Sequence, residues 1–249
     1  MREIPLQRLM DGLYESLDYY APVAPEGATG FEEEYHHVTH DPDGKERHLL
    51  LEREHSLAAT HEIVGYLARL APGRILDVGC GLGWILSALS DGWDKHGVEV
   101  SRFASQHASQ FATIHCGTLD DYRDSGFDVV VMNHVIEHLS DPIVAVERVH
   151  GLLKQNGIFI LGTPDFDSAA ARRYGSRFRL LHDPTHISLF SCDSMHRCLR
   201  DHGFKILHVE YPFFDTMWFS RENLLKILDD TTISPPFYGS AMTFFCERR

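Results

Sequence analysis

The chain has 249 residues, 43% hydrophobic and 24% charged, so it can bury a large core and is not a disordered polypeptide. Its formal net charge of −13 at pH 7 excludes a broad basic surface that coats a phosphate backbone, so we expect no nucleic-acid partner. No run of 18 apolar residues is present, and the five cysteines include no C-x-x-C pair. We therefore expect a soluble, cytoplasmic protein that does not insert into a membrane.

The first quarter of the chain has weak patterns. Apolar residues at helical spacing predict an amphipathic helix over Met1–Tyr20. A break rich in proline and glycine follows over Ala21–Gly30, and the charged stretch Phe31–Glu54 indicates no clear element. An apolar stripe predicts a helix over His55–Leu70, which Pro72-Gly73 ends.

From residue 74 the chain alternates short apolar runs with helical patterns. The predicted strands are Arg74–Val78, Lys95–Val100, Thr113–Cys116, Phe127–Met132 and Gly157–Leu161, and the predicted helices begin near Gly83, Arg102 and Asp141. Asp141-Pro142 is a good helix start, and Asn156-Gly157 a good helix stop. This alternation predicts a parallel sheet with right-handed crossovers.

After Thr163-Pro164 the alternation stops. A loop rich in serine, alanine and arginine is predicted over Asp165–Asp183. The remaining predicted elements are a helix from Ser191 to Gly203, a strand over Phe204–Glu210, a short helix over Arg221–Asp230 and a strand over Ala241–Glu247.

A glycine-rich turn follows the first strand of the alternating region. Gly79, Gly81 and Gly83 permit a sharp turn and the close approach of a ligand. Glu99, twenty residues after Gly79, ends the next strand, where a carboxylate can accept both hydroxyls of a ribose. A dinucleotide site needs a glycine at the sixth position of this pattern, which is Trp84 here. A carboxylate at Asp77 would oppose a phosphate, so the turn favours a cationic nucleoside over a nicotinamide cofactor.

Three motifs in order resemble those of class I methyltransferases that use S-adenosylmethionine (SAM). Asp77–Gly83 is similar to their first motif, Gly97–Ser101 to the second, and Phe127–Leu139 to the fourth-strand motif of their small-molecule group. That group includes ubiquinone-biosynthesis O-methyltransferases and polysaccharide-associated methyltransferases. The resemblance covers roughly residues 63 to 210.

The resemblance implies a Rossmann-like α/β fold. Its mostly parallel sheet has seven strands in the order 3-2-1-4-5-7-6, with an antiparallel last strand and helices on both faces. Residues 55–249 would form the methyltransferase domain, with a substrate-covering insertion at about 165–190, and residues 1–54 a helical extension or lid. The implied reaction converts SAM to S-adenosylhomocysteine (SAH).

The resemblance also implies the residues that bind the cofactor. The backbones of Gly79 and Gly81 would line the methionine part, Glu99 would hold the ribose, and Asn133 would close over the amino-acid end. Thr118-Leu119 would flank the adenine, although many relatives have aspartate at position 118, so Asp120 or Asp121 is an alternative. The full expected set is Asp77, Gly79, Cys80, Gly81, Gly83, Glu99, Val100, Thr118, Leu119, Asn133 and His134.

Three histidines are candidates for the proton transfer that a hydroxyl acceptor requires. His134 and His138 directly follow the fourth strand, and His186 lies in a segment similar to the D-P-x-H pattern of relatives with sugar or lipid-linked substrates. His186 is the first choice as base or orienting group, and a purely structural role for it is nearly as well supported.

The same residues also resemble the ligands of metal sites. With Glu137, the two histidines form H-x-x-E-H, an inverted zinc-protease signature, but Asp141-Pro142 ends the segment too early for the helix it needs. Some relatives bind a divalent ion through E-x-x-E-H at this place, and His186 is a candidate fourth ligand. We favour the alternative that these side chains only form hydrogen bonds, so no metal is expected.

Other aromatic and basic residues are secondary candidates, for which core packing or solvation is the simpler reading. The candidate lid residues are Tyr14, Tyr19, Tyr20, Tyr35, His36 and His37; the candidate apolar wall is Phe213, Phe214 and Trp218; the one local basic cluster is Arg172, Arg173, Arg177 and Arg179. The predicted function is SAM-dependent methylation of a small molecule, with hydroxyl oxygen as the first choice of acceptor. The alternatives are an N-methyltransferase and a non-catalytic SAM-binding regulator.

Overall fold

The computed structural model describes Tyr19, Ala21–Pro22, Val38–His40 and residues 46–249, so the predicted helix Met1–Tyr20 lies outside the described residues except for Tyr19. The strands in these residues are β1 Ala21–Pro22, β2 Val38–His40, β3 Glu46–His48, β4 Arg74–Val78, β5 Asp94–Glu99, β6 Thr113–Cys116, β7 Phe127–Asn133, β8 Leu153–Pro164, β9 Ser188–Leu189, β10 Phe204–Glu210 and β11 Ala241–Arg248. The α-helices are α1 Arg53–Ala59, α2 His61–Leu67, α3 Trp84–Ser87, α4 Arg102–Ala108, α5 Pro142–Leu152, α6 Ala169–Tyr174, α7 Cys192–Asp201 and α8 Arg221–Lys226.

Seven strands form one sheet in the order β6-β5-β4-β7-β8-β11-β10. The pairs from β6 to β8 are parallel, and β11 is antiparallel to both of its neighbours. Numbered from β4, this is the order 3-2-1-4-5-7-6, so the predicted fold is confirmed. The carboxyl ends of β4, β5, β7 and β8 therefore meet at one edge of the sheet, where open α/β sheets bind ligands.

Side chains that alternate along the strands fill two cores, one on each face of the sheet. On one face Ile75, Val129, Val131, Ile160 and Phe245 pack against Ile63, Leu67, Ile85 and Leu86. On the other face Leu76, Val130, Phe159, Leu161 and Phe244 pack against Val146, Val149, Met195 and Leu199. Burial on both faces explains why the central strands β7 and β8 contain runs of apolar residues. No helix among the described residues is long and apolar enough to cross a bilayer.

The predicted helix over His55–Leu70 is two helices. Thr60 leaves the helical region, with φ −117° and ψ 26°, and its hydroxyl donates to the carbonyl of Ser56 at 3.0 Å. Such back-bonding disturbs a helix. The break separates α1 from α2, and α2 alone contributes Ile63 and Leu67 to the core.

The predicted helix stop at Asn156-Gly157 is wrong. Helix α5 ends at Leu152, and β8 begins with the next residue. Asn156, at φ +61°, is a kink within the strand, and a Cβ on Gly157 would lie 2.9 Å from the carbonyl oxygen of Lys154. The glycine is therefore required by a strand irregularity and not by a helix cap. At the other end of α5, Pro142 opens the helix as predicted, but Asp141 makes no side-chain capping bond.

The predicted loop over Asp165–Asp183 contains helix α6 and two single-turn 3-10 helices, Gly175–Arg177 and Arg179–Leu181. The hydroxyl of Ser168 caps α6 by accepting from the N–H of Ala171. This insertion has its own small core of Phe166, Ala170, Ala171, Tyr174, Phe178 and Leu189. The insertion forms a packed layer beside the edge of the sheet where the parallel strands end. Strand β1 joins this layer by pairing with β9.

Candidate functional site

The turn between β4 and α3 depends on three glycines with left-handed backbone angles. Gly79, Gly81 and Gly83 have φ of +68°, +52° and +77°. The N–H groups of Gly79 and Cys80 both donate to the carbonyl of Val98, at 2.8 and 3.1 Å, which folds the turn back over the end of β5. A Cβ on Gly79 would overlap Val135, so no other residue fits at that position without a shift.

Glu99 is the carboxylate under this turn. Its Oε2 accepts from the N–H of Gly81 at 2.9 Å and its Oε1 from the N–H of Ser101 at 2.8 Å. Burial raises the pKa of Glu99, although the backbone hydrogen bonds oppose the shift. Each carboxylate oxygen has about two acceptor sites, so both oxygens can accept a further hydrogen bond from a hydroxyl group.

Asp77 is a second buried acid beside the turn. It is 2% exposed, and among the described residues no group donates a hydrogen bond to its carboxylate. Burial, and then the charge of Glu99, raises the pKa of Asp77 to about 8. A buried carboxylate without a partner is unfavourable, so the position favours a bound cation and disfavours a phosphate.

The other predicted cofactor residues lie at the same edge. Cys80 is buried, and its Sγ fills the space that a side chain on Gly97 would need. Thr118 is exposed and its hydroxyl donates to Asp121 Oδ2 at 2.8 Å, so the alternative Asp121 is already joined to Thr118. Val100 directly follows β5, and Leu119 lies three residues after the end of β6. The structure brings these residues together, and their roles in binding stay predictions.

At the end of β7, Asn133 and His134 lie beside Gly162 of β8. The N–H of His134 donates to the carbonyl of Gly162 at 2.9 Å, and a Cβ on Gly162 would overlap the side-chain oxygen of Asn133. His134 has φ +54°, a left-handed conformation that is uncommon for residues other than glycine. The backbone therefore turns sharply where the predicted cofactor and acceptor regions meet.

Glu137 anchors the exposed ring of His134. His134 Nδ1 lies 3.0 Å from Glu137 Oε1, and the Thr163 hydroxyl donates to Glu137 Oε2 at 3.1 Å. Burial alone would raise the pKa of Glu137, but the hydrogen bond and charge of His134 lower it to about 2. Desolvation lowers the pKa of His134, whereas the hydrogen bond and the charge of Glu137 raise it, with a net rise. The pair is a buried carboxylate that fixes the orientation of an accessible imidazole ring.

His138 and His186 form a second, more buried pair. Their ring centroids are 4.9 Å apart, and burial lowers the pKa of His138. His138 Nδ1 lies 3.1 Å from the carbonyl oxygen of Thr185, and His186 Nδ1 lies 2.6 Å from that of Leu180. His186, the first choice from the sequence, is 8% exposed. Its surroundings match the structural alternative for this residue. His134 is the most accessible of the three histidines.

The geometry at this place is compatible with a metal site. Glu137, His138 and His186 each offer a ligand atom, and these atoms lie within 4.8 Å of one another, a donor set that suits zinc or manganese. The Nδ1 atoms of both histidines face carbonyls, which leaves the Nε2 atoms as ligands. However, both oxygens of Glu137 already have partners within the protein, so a hydrogen-bond network accounts for the cluster without an ion.

One acidic residue at this edge is absent from the predicted set. Glu62, near the start of α2, is 6% exposed, and its Oε1 accepts from the Thr243 hydroxyl at 3.0 Å. Nothing local marks it, because it stands beside apolar Ile63 in an ordinary helical pattern and its partner is 181 residues away.

The secondary candidates are dispersed. Tyr19 donates to Asp201 Oδ2 at 2.8 Å at the end of α7, and the other candidate lid residues lie outside the described residues. Phe213 is buried, whereas Phe214 is 57% exposed. In the basic cluster, Arg172 pairs with Asp167 at 2.7 Å and Arg173 donates to the carbonyl of Ile227. These contacts give both arginines a structural role.

Comparison with known proteins agrees with this geometry. The family model "Methyltransferase domain" matches residues 49–209. The ubiquinone biosynthesis O-methyltransferase of Haemophilus ducreyi is 32% identical over 105 residues, covering 36% of this chain and 44% of that protein. YcgJ, an uncharacterized methyltransferase of Bacillus subtilis, is 29% identical over 153 residues, covering 54% of this chain and 60% of that protein. The chain therefore spans about half the length of these curated relatives.

Solved structures share the fold. The structure of YcgJ superposes with a TM-score of 0.57 at 19% identity, covering 76% of this chain and 99% of that one. Magnesium protoporphyrin IX methyltransferase from Synechocystis, solved with bound SAM, has a TM-score of 0.53 at 14% identity, covering 80% of this chain and 82% of that one. At these identities the likeness establishes the fold alone.

Proposed function

This chain belongs to the class I SAM-dependent methyltransferase family, and on that premise we propose that it binds SAM at the glycine turn and methylates a hydroxyl oxygen of a small molecule. The family predicted from the motifs is confirmed. We further propose that the acceptor is of sugar, lipid-linked or natural-product type, which the sequence pattern around His186 favours.

One observation carries the proposal: two buried acids flank a turn in which three glycines have positive φ. Glu99 keeps acceptor sites for the ribose hydroxyls, and Asp77 has no partner for its carboxylate among the described residues. A nucleoside with positive charge and no phosphate satisfies both groups, whereas a dinucleotide would bring phosphate toward Asp77. We assign the predicted roles to Gly79, Gly81 and Asn133 on the same basis.

When bound, SAM supplies a methyl carbon that its positive sulfur has already activated. The residues need to align the acceptor oxygen with that carbon, an effect that can provide much of the rate, and to remove the hydroxyl proton. We propose His134 as the proton acceptor, because Glu137 fixes its Nδ1 and its ring is 44% exposed. His138 and His186 would then position the segment around the acceptor.

We propose that residues 165–190 cover the acceptor and that residues 1–54 extend this cover. The insertion is attached to the site, since the N–H of Ile187 donates to the carbonyl of Glu137 at 2.9 Å and the Ser188 hydroxyl donates to that of Leu139 at 2.6 Å. The pairing of β1 with β9 supports the second part. The net charge of −13 favours a small molecule over nucleic acid.

Two alternatives remain from the sequence. An N-methyltransferase would methylate a neutral amine, and the acidic surroundings would admit a cationic substrate. A non-catalytic regulator would bind SAM but would have its acceptor position filled by side chains. A crystal structure with SAH separates the regulator from an enzyme, because an enzyme leaves an open space beside the SAH sulfur.

Methyl transfer from radiolabelled SAM to matched phenol and aniline, and to matched sugar and amino sugar, separates oxygen from nitrogen acceptors. The proposal expects label on the hydroxyl compounds. Label on the amines alone would replace it by the N-methyltransferase. SAH binding without turnover, with side chains filling the space beside the sulfur, would replace it by the regulator.

A further inference from the structure

Glu62 is a buried acid that the proposed chemistry leaves unused. Its side chain is 2% exposed, and Oε1 accepts from the Thr243 hydroxyl. Its second oxygen, Oε2, is buried and has no hydrogen-bond partner among the described residues. The Nδ1 atom of the neighbouring His61 lies 3.6 Å from Oε2, too far for a hydrogen bond. A buried carboxylate oxygen without a hydrogen-bond donor destabilises the fold unless a bound ligand supplies the donor.

The position of Glu62 follows from the sheet register. Asn133 pairs with Gly162, and Gly162 pairs with Thr243. Residues two apart along a strand share a face, and Val131, Ile160 and Phe245 pack together on the face that α2 covers. Asn133, Gly162 and Thr243 therefore form a row on that same face, at the ligand-binding edge of the sheet.

Gly162 makes room within this row. The Asn133 side chain occupies the space where a Gly162 side chain would lie, so the Asn133 amide and the Thr243-bound Glu62 stand on either side of the glycine. By the same alternation, Asp77 shares this face with Ile75. When ionised, Glu62 also contributes to raising the pKa of His134.

We propose that Glu62 is an acceptor-binding residue whose free Oε2 faces the methyl-transfer position and accepts a hydrogen bond from an O–H or N–H group of the methyl acceptor. This inference rests on the proposed function and narrows its substrate class. A carboxylate or phosphate at that position would be repelled by Glu62, so the acceptor group there is neutral or cationic. Glu62 would then help to select the methyl acceptor, from the side of the site opposite Glu99.

Sinefungin tests this without knowledge of the acceptor. In this SAM analogue an amine-bearing carbon replaces the methylated sulfur, so its ammonium group lies where the methyl group would be, whereas SAH has nothing there. If Glu62 faces that position, Glu62→Gln weakens sinefungin binding about tenfold or more and leaves SAH binding within about twofold, in calorimetry. The matched control is Asp215→Asn, because Asp215 lies on the other side of His61, at 3.8 Å, with its side chain 83% exposed. It should leave both affinities within about twofold.

The ratio of the two affinities is the deciding measurement. An unchanged sinefungin-to-SAH ratio in folded Glu62→Gln overturns the inference, because a purely structural role affects both ligands alike. If that variant does not fold, Thr243→Val decides: it keeps the carboxylate but removes the hydroxyl that holds it, and a lowered ratio is expected, with an unchanged ratio counting against the inference. Failure of the wild-type protein to bind SAH would contradict the proposed function itself and remove the premise.

Discussion

Gly81 and Glu99 are joined by a 2.9 Å hydrogen bond from backbone N–H to carboxylate. The carboxylate proposed to hold the ribose therefore also fixes the shape of the glycine turn. Replacing Glu99 affects the ligand contact and the turn together. We expect Glu99→Gln to weaken SAH binding at least about tenfold, since charge-assisted hydrogen bonds are the stronger ones.

Calorimetric titration with SAH measures this effect, and Glu147→Gln is the matched control because that side chain is 62% exposed on α5. The control should bind SAH as the wild type does. Equal affinity in Glu99→Gln would place the ribose elsewhere.

Gly79→Ala tests the steric argument for the turn. An alanine there needs a left-handed backbone, at about 1–2 kcal/mol, and its Cβ also overlaps Val135, which adds about 1–3 kcal/mol. Gly239→Ala is the matched control, because Gly239 also has a positive φ, +81°, with nothing near its Cβ position. Urea unfolding should show a larger loss for Gly79→Ala than for Gly239→Ala. Equal losses would mean that only backbone strain matters at position 79.

Asp77 predicts a pH dependence of stability in the ligand-free protein. Its pKa rises from the ordinary 3.8 to about 8 on folding, so the folded state holds this proton more tightly than the unfolded state. The stability that Asp77 contributes is therefore full below pH 3.8 and is lost as pH rises through about 8. We expect the melting temperature to fall less between pH 5 and pH 9, roughly the window of this titration, in Asp77→Asn than in the wild type.

Bound SAM should reduce the wild-type dependence, because its cationic groups stabilise the ionised form of Asp77. Melting curves at each pH with and without SAM measure this. Identical pH profiles for Asp77→Asn and the wild type would show that Asp77 does not titrate as its burial implies.

His134→Ala tests the pair with Glu137. The variant removes the His134 contact from the buried Glu137 carboxylate, and we expect a loss of about 2 kcal/mol at neutral pH. Because the pKa of Glu137 is lowered to about 2, its stabilising effect is present above the ordinary value and is lost as pH falls through about 2. Acid unfolding should therefore begin at higher pH in His134→Ala than in His48→Ala, a control at a histidine that is 53% exposed. Coincident acid transitions would contradict the pairing.

Much of the fold was predictable because its central strands contain apolar runs and helical patterns alternate with them. Arg74–Val78 and Thr113–Cys116 have the bounds that the sequence predicted. The elements that were predicted wrongly from the sequence depend on tertiary contacts. Asn156-Gly157 looks like a helix stop, yet it kinks a strand that pairs with β7 and β11 on either side, and helix α6 in the insertion exists because residues distant in sequence pack on it.

The site was predictable in part for the same reason. The glycine turn and Glu99 follow strands directly, so their spacing in sequence encodes their proximity. Glu62 meets Thr243 only because α2 crosses the sheet at β11, and the burial of His186 depends on how the insertion folds. Contacts of this kind leave no local pattern in the sequence.

The proposed function depends on the binding of a sulfonium nucleoside by the glycine turn. Calorimetric titration of the wild-type protein with SAM, SAH and NADH tests this binding. We expect SAM and SAH to bind with one site per chain, and we expect NADH, with its phosphates directed at Asp77, not to compete. A folded protein that binds neither SAM nor SAH, or that binds NADH in their place, would contradict it.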